Sequence, residues 1–294
     1  MSVPQVSLGP EGPMVSQFVY GTMRLGDGEG MKDPQSILQR IDACYTYEEL
    51  LGSALKLRPG LREKIQIITK TNIVIPSSHW GYEVKVKHYN SSAEHIRSQV
   101  ERSLRVLHTD FLDIVLLHRL DYLMDADEVA GVMTELKNEG KVRHWGVSNH
   151  TVHQVELLQS RLSFPLVTNQ IELSVTHLQP LDDGTLDQCQ KLRISPMLWS
   201  PLGGGKLFDR ENTDQQIQRI QKAISDVSHE LNDLPEDLVA YAWLLRHPSK
   251  PVILLGTNNR QRMQSVRDLY DRNIRLDLQQ WYSIWEASKG HPVP

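Results

Sequence analysis

At 294 residues, with 23% charged and 39% hydrophobic side chains, the chain has the composition of a globular protein that buries a large core, which excludes a disordered one. A formal net charge of −4 leaves no basic face for phosphate backbones or an anionic membrane, so neither nucleic acid nor membrane is an expected partner. Cys44 and Cys189 are too few for a disulfide scaffold, and no window reaches the ~18 apolar residues of a membrane span, so the expected compartment is the cytoplasm.

In chain order, short β-rich runs recur, each followed by a loop and an amphipathic stretch. They are FVYGTM (18–23), IQIITK (65–70), LDIVLLH (112–118), RHWGVSN (143–149), LVTNQIEL (166–173), ISPMLWS (194–200) and VILLGT (252–257). Helices open between them at Asp33-Pro34, at Ser92 and at Asp125, the last closing on Gly140. Strands that read as buried on both faces, alternating with helices, predict parallel strands with crossovers, and the length favours a (β/α)8 TIM barrel as one domain over 1–294. A doubly wound open sheet is the alternative, but no G-x-G-x-x-G follows the first strand.

Eight strands are needed and seven are found. The break lies in RIDACYTYEELLG (40–52), where the helix pattern SILQRIDAC runs directly into a second one, EELLGSALKL, opened by a capping-box match of Thr46 with Glu49. The spacing predicts that a strand and its C-terminal loop are absent between Cys44 and Tyr45. A helical hairpin inserted in another fold is the competing reading.

Polar residues gather at one end of the predicted strands: Lys70, His118, Ser148-Asn149, Asn169-Gln170, Trp199-Ser200-Pro201-Leu202 followed by GGGK, and Gly256-Thr257. Singly each has a structural explanation, as a solvated charge, a core histidine or a turn. Together they occupy the rim where barrel enzymes place their sites.

The segments LDIVLLHRLD, GKVRHWGVSNH, TNQIELS, LWSPLGGGKL and ILLGTNNRQR, in this order and spacing, resemble the aldo-keto reductases of the bacterial-type branch over nearly the whole chain. The resemblance implies a (β/α)8 barrel that binds NADP(H) without a Rossmann fold and reduces aldehydes and ketones to alcohols. It implies that Ser148, Asn149 and Gln170 hydrogen-bond the nicotinamide carboxamide and that Trp199 stacks on its ring. Ser200, Pro201, Leu202 and Gly203 match the loop around the pyrophosphate, where small residues admit backbone N–H groups. Gly256 ends its strand beside Thr257, and Thr257 and Arg262 match the site of the adenosine 2′-phosphate, which a guanidinium can hold bidentately. Asn259, at a position that is often basic, and Ser265, where many members carry a carboxylate, depart from the pattern.

For catalysis, Lys70 and His118 match the lysine and histidine of the family's tetrad. The aspartate and the proton-donating tyrosine belong to the segment predicted to be lost. Tyr45 falls at the place of a second tyrosine and is a candidate substitute acid, whereas Asp42 lies inside a helix pattern. Two functions follow: a reductase of small-molecule carbonyl compounds, or a non-catalytic NADP(H)-binding isoform, with self-association through the gap as a further expectation. A metal hydrolase using His118 and His144 lacks any ligand cluster at the right spacing, so no metal is expected. The segment TNIVIPSSHWGYEVKVKHYN is expected to wall the substrate side, with Trp80 and Tyr82 either lining it or packing it down.

Overall fold

The seven apolar runs pair as parallel strands. A computed structural model of the chain describes residues 3–24, 48–49, 51–58, 60–76, 80 and 82–294. The strands are β1 (Gln5–Ser7), β2 (Met14–Ser16), β3 (Phe18–Tyr20), β4 (Ile68–Thr71), β5 (Ile73–Val74), β6 (His88–Tyr89), β7 (Leu112–Leu117), β8 (Val142–Ser148), β9 (Asn169–Glu172), β10 (Met197–Trp199) and β11 (Val252–Leu255). The chain divides into two units, Met1–Gly21 with Gln170–Pro294, and Thr22–Asn169. The junction at Cys44 and Tyr45, with Asp42 and Thr46, lies outside the described residues.

In the Thr22–Asn169 unit, β4, β7 and β8 form a parallel array with β7 in the middle. All six residues of β7 are buried, which is why LDIVLL reads as a continuous apolar run rather than an alternating one. Helices Ala93–Leu107 and Ala126–Asn138 bury Ile96, Val100 and Leu107, and Val129, Val132, Met133 and Leu136, at the spacing of one helical face. Both starts are capped as expected. Ser92 accepts from the His95 N–H, and Asp125 from those of Asp127 and Glu128. The Ala126–Asn138 helix is followed by Gly140 at φ 74°, a backbone that glycine adopts freely.

Trp145 on β8 is fully buried and donates its indole N–H to Met133 O at 3.0 Å, so it faces that helix. Its neighbour Gly146 therefore faces the other way. A Cβ there would lie 2.7 Å from Leu116 Cδ2 and from Thr168 O, so the strands approach too closely for any side chain. Residues 51–57 are helical, as EELLGSALKL predicts. Glu48 accepts from Thr69 Oγ1 at 2.6 Å and Ser103 Oγ at 2.9 Å and pairs with Arg102 at 3.3 Å, tying this segment to β4 and to the Ala93–Leu107 helix.

In the other unit the parallel order is β3-β11-β10-β9, with Ile253 beside Phe18 and Leu198, and Met197 beside Gln170. Phe18, Leu198, Ile253, Leu238 and Trp243 centre its core. Trp243 and Trp281 stack at 4.8 Å, and each indole donates to the other's carbonyl, at 2.9 and 3.1 Å. Two short antiparallel pairs, β1–β2 and β5–β6, have no counterpart in the sequence reading. FVYGTM is strand only to Tyr20, because Thr22–Arg24 coils into a 3-10 turn. Among the described residues, no helix is long and apolar enough to cross a membrane.

Candidate active site

In the Thr22–Asn169 unit, Lys70 lies opposite Leu116 on the neighbouring strand, and Thr71 opposite Leu117. His118 follows directly, so by the two-residue repeat it shares a face with Leu116 and Lys70. Lys70 and His118 are thus brought to one face at the C-terminal ends of adjacent strands, both half-buried. Leu116 in turn pairs with Gly146, which puts Ser148 on the same face of β8. Ser148 is buried, and Asn149, in the left-handed region at φ 56°, donates to its hydroxyl at 2.8 Å.

Burial pushes the His118 imidazole down to about 3, helped by the positive charges of Lys70, Arg119 and Lys87. It is a neutral ring throughout the physiological range, able to donate one N–H and accept at the other nitrogen. Behind the turn that carries Ser148, His150 Nδ1 lies 3.0 Å from Ser148 O, and Asn169 Nδ2 donates to His150 O at 2.8 Å. Burial lowers the His150 pKa. Among the described residues, Thr71 Oγ1, His150 Nε2 and Asn169 Oδ1 are buried without a hydrogen-bond partner.

Of the loop after β4, Trp80 is half-buried. Its ring lies 5.7 Å from that of His95, and its indole donates to Ile75 O at 2.6 Å, so it packs the loop down onto the Ala93–Leu107 helix. Tyr82 is exposed.

The other unit carries the remaining predicted residues. Gln170 is buried on β9 beside Met197, and Trp199 ends β10 beside Glu172. Next come Ser200 at φ 50°, the buried Pro201 and the half-buried Leu202, and then Gly203, Gly204 and Gly205 at φ 60°, 69° and 96°. Gly203 is obligatory twice over, since a Cβ would also lie 2.6 Å from Thr176 Oγ1. Among the described residues, nothing lies within 4 Å of a Cβ position on Gly204 or Gly205, leaving their backbone open to close approach.

Beyond β11, Gly256 is exposed and Thr257 half-buried. Thr257 Oγ1 accepts from the Asn259 N–H at 3.1 Å. Asn259 caps the Arg260–Ser265 helix, accepting from the N–H groups of Gln261 and Arg262 at 2.9 and 3.2 Å, so this departure from a basic residue has a structural use. Tyr20 Oη donates to Asn258 Oδ1 at 2.6 Å and pins the same loop to the end of β3. Arg262 is exposed. Among the described residues, no group of three His, Cys, Asp or Glu side chains could hold a metal ion.

Residues 17–289 match the model of the aldo/keto reductase family. The chain belongs to this family. It is 40% identical over 306 aligned positions to the oxidoreductase YdhF of Escherichia coli, covering 99% of this chain and all of that one. It is also 40% identical over 297 positions to a 6-dehydroglucose reductase of Agrobacterium fabrum, covering 95% of this chain and 96% of that one. Among solved structures, a glycerol dehydrogenase from Gluconobacter oxydans superposes with a TM-score of 0.80 at 20% identity, covering 100% of this chain and 98% of that one. The holo form of an aldo-keto reductase from Bacillus halodurans superposes with a TM-score of 0.78 at 19% identity, covering 99% and 98%. The fold is of the α/β barrel type, and the chain is an oxidoreductase-family member of the kind that acts on small carbonyl compounds.

Asn72 and His150 were not singled out in the sequence reading, and Asn169 was placed at the rim without a role of its own. The sequence signal for Asn72 and His150 is that each stands two residues after a site residue at a strand end.

Proposed function

We propose that this protein is an NADP(H)-dependent reductase of aldehydes and ketones, acting in the cytoplasm. The observation that carries the reading is the pairing of β4 with β7, which puts Lys70 and a neutral His118 on one face at adjacent strand ends. The residues present fit the cofactor. Ser148, Asn149 and Gln170 supply the hydroxyl and amide groups that a carboxamide pairs with, and Trp199 a ring to stack on. Of the left-handed residues Ser200, Gly203, Gly204 and Gly205, the last two offer an uncluttered backbone to a pyrophosphate. Gly256 leaves room beside Thr257, and Arg262 provides the guanidinium for a 2′-phosphate, which favours NADP over NAD.

The reduced nicotinamide, when bound, supplies a hydride. His118 donates an N–H to the carbonyl oxygen and orients it. The Lys70 ammonium is the group that would favour the ionised form of a phenol brought beside it. The phenol is the open element. The segment that would carry it is the one read as lost between Cys44 and Tyr45. Without general acid catalysis the rate falls by about 10²–10⁴. Tyr45 is then the substitute acid, or the chain binds NADP(H) without turning it over.

Thermal unfolding with and without NADPH tests the binding, because a ligand that binds only the native state raises its stability. Consumption of NADPH with a reactive aldehyde then separates the two readings. Saturable turnover that is lost in His118→Ala supports the reductase, and a thermal shift without turnover supports the binding protein. Turnover unchanged in Tyr45→Phe removes Tyr45 as the acid. The relatives that act on 6-dehydroglucose make oxidised sugars the first natural carbonyls to try.

A further inference from the structure

Asn72 stands two residues after Lys70, in the left-handed region at φ 78°, where glycine costs least and other residues are strained. It is 1% exposed, and its side chain makes four hydrogen bonds. Oδ1 accepts from the backbone N–H of His118 at 3.0 Å and of Arg119 at 3.3 Å. Nδ2 donates to Arg119 O at 2.7 Å and to Ser91 Oγ at 3.1 Å. Its own carbonyl accepts from the Asn90 N–H at 2.9 Å, and the preceding Thr71 O from the His118 N–H at 3.0 Å.

We infer that Asn72 is a positioning residue, whose carboxamide clamps the His118–Arg119 backbone to the end of the Lys70 strand and so fixes where the His118 ring stands relative to Lys70. A glycine would relieve the backbone but would leave two N–H groups and a carbonyl of the 118–119 turn without this partner. The strain is therefore retained for what the side chain holds. Ser91, joined to the same turn through its N–H to Asp121 Oδ2 at 2.9 Å, closes the clamp from the third segment. The role in catalysis rests on the proposed reductase reading, while the clamp itself does not.

The test uses the full chain with ¹⁵N-labelled histidine. The imidazole resonances are followed from about pH 4.5 to 7.5 without cofactor, and His118 is assigned by its loss in His118→Gln. Wild-type His118 stays neutral over this range. In Asn72→Gly the turn opens to water and the titration moves up into it, by about two pH units or more, whereas the control Asn232→Gly, at another left-handed asparagine, leaves His118 unchanged. If the wild type turns over a reactive aldehyde, kcat in Asn72→Gly falls ~10-fold or more with the KM for NADPH unchanged, the signature of a misplaced catalytic group. An unchanged His118 titration overturns the inference, as does a moved titration with unchanged kcat in an active enzyme. Should Asn72→Gly show no cooperative unfolding, Ser91→Ala removes one bond of the clamp and must move the titration in the same direction by less, and no movement overturns the inference. A wild type without turnover overturns the reductase reading alone, and the titration still decides whether Asn72 places His118.

Discussion

The two ends of the β4–β7–β8 strands treat their polar atoms in opposite ways. At the N-terminal end Asp113, 5% exposed, accepts from the Ile67 N–H at 2.9 Å and pairs with Arg62 at 2.8 Å and Arg143 at 3.2 Å. Arg62 also donates to Thr109 Oγ1, Ile65 O and Phe111 O. Both guanidiniums lie over the Phe111 ring, at 3.9 and 3.5 Å from its centroid. At the C-terminal end Asn72 and Asn149 hold left-handed backbone, three buried polar atoms lack partners among the described residues, and a histidine is kept neutral by burial beside cations. One end stabilises the fold. The other retains strain and unmet hydrogen bonds where barrel chemistry is carried out.

The largest test of this contrast is Asp113→Ala. Removing one partner of a buried ion pair leaves Arg62 uncompensated and the Ile67 N–H unpaired, so urea unfolding is expected to lose ~3–5 kcal/mol. NADPH affinity of the folded fraction should be unchanged. A loss below about 1 kcal/mol would mean that the N-terminal cluster is no more stabilising than a surface pair, and the contrast between the ends would collapse.

Midway along the strands, Gly146→Ala puts a methyl 2.7 Å from the Thr168 carbonyl oxygen, a backbone atom that cannot swing away. Overpacking of this kind costs about 1–3 kcal/mol. A neutral result would show that β8 shifts readily, and the layer holding Lys70, Leu116 and Gly146 would be softer than its register implies.

The pH dependence of stability probes the C-terminal end directly. His118 protonates near the ordinary histidine value when unfolded but only at about 3 when folded. Between those limits the unfolded chain binds more protons, so stability falls as the pH drops, by at most ~1.4 kcal/mol per pH unit from this group. His118→Gln should flatten that slope between about pH 6.5 and 4, while His95 and His150, also lowered by burial, contribute equally to both chains. Identical slopes would mean that the imidazole is hydrated.

The contrast also explains what could be read from the residues. β7 and β8 were legible because buried parallel strands are written as unbroken apolar runs, and Ser92 and Asp125 because caps are local. The pairs β1–β2 and β5–β6 were not, since strands of two or three residues carry no period. Lys70, His118 and the glycine loop were singled out at the strand ends and given their roles by family resemblance. What supports them was invisible. Asn72 reaches His118 and Arg119 across 46 and 47 residues, and Asn169 reaches His150 across 19, contacts that leave no trace in any sequence window.

The smallest expected effect has the opposite sign from the others. Thr71 is 4% exposed, its hydroxyl is buried without a partner among the described residues, and its place opposite Leu117 puts it on the face away from Lys70. Thr71→Val keeps the shape, suits a strand and removes a desolvated hydroxyl, so it should raise stability by about 1 kcal/mol in urea with an unchanged m-value. Any turnover should persist, because the substituted methyl faces away from His118. A gain would identify the unmet hydrogen bonding here as a cost tolerated beside the site rather than used within it. A loss would mean that the Thr71 hydroxyl finds a donor in the folded chain, and the imbalance between the two ends would rest on His150 and Asn169 alone.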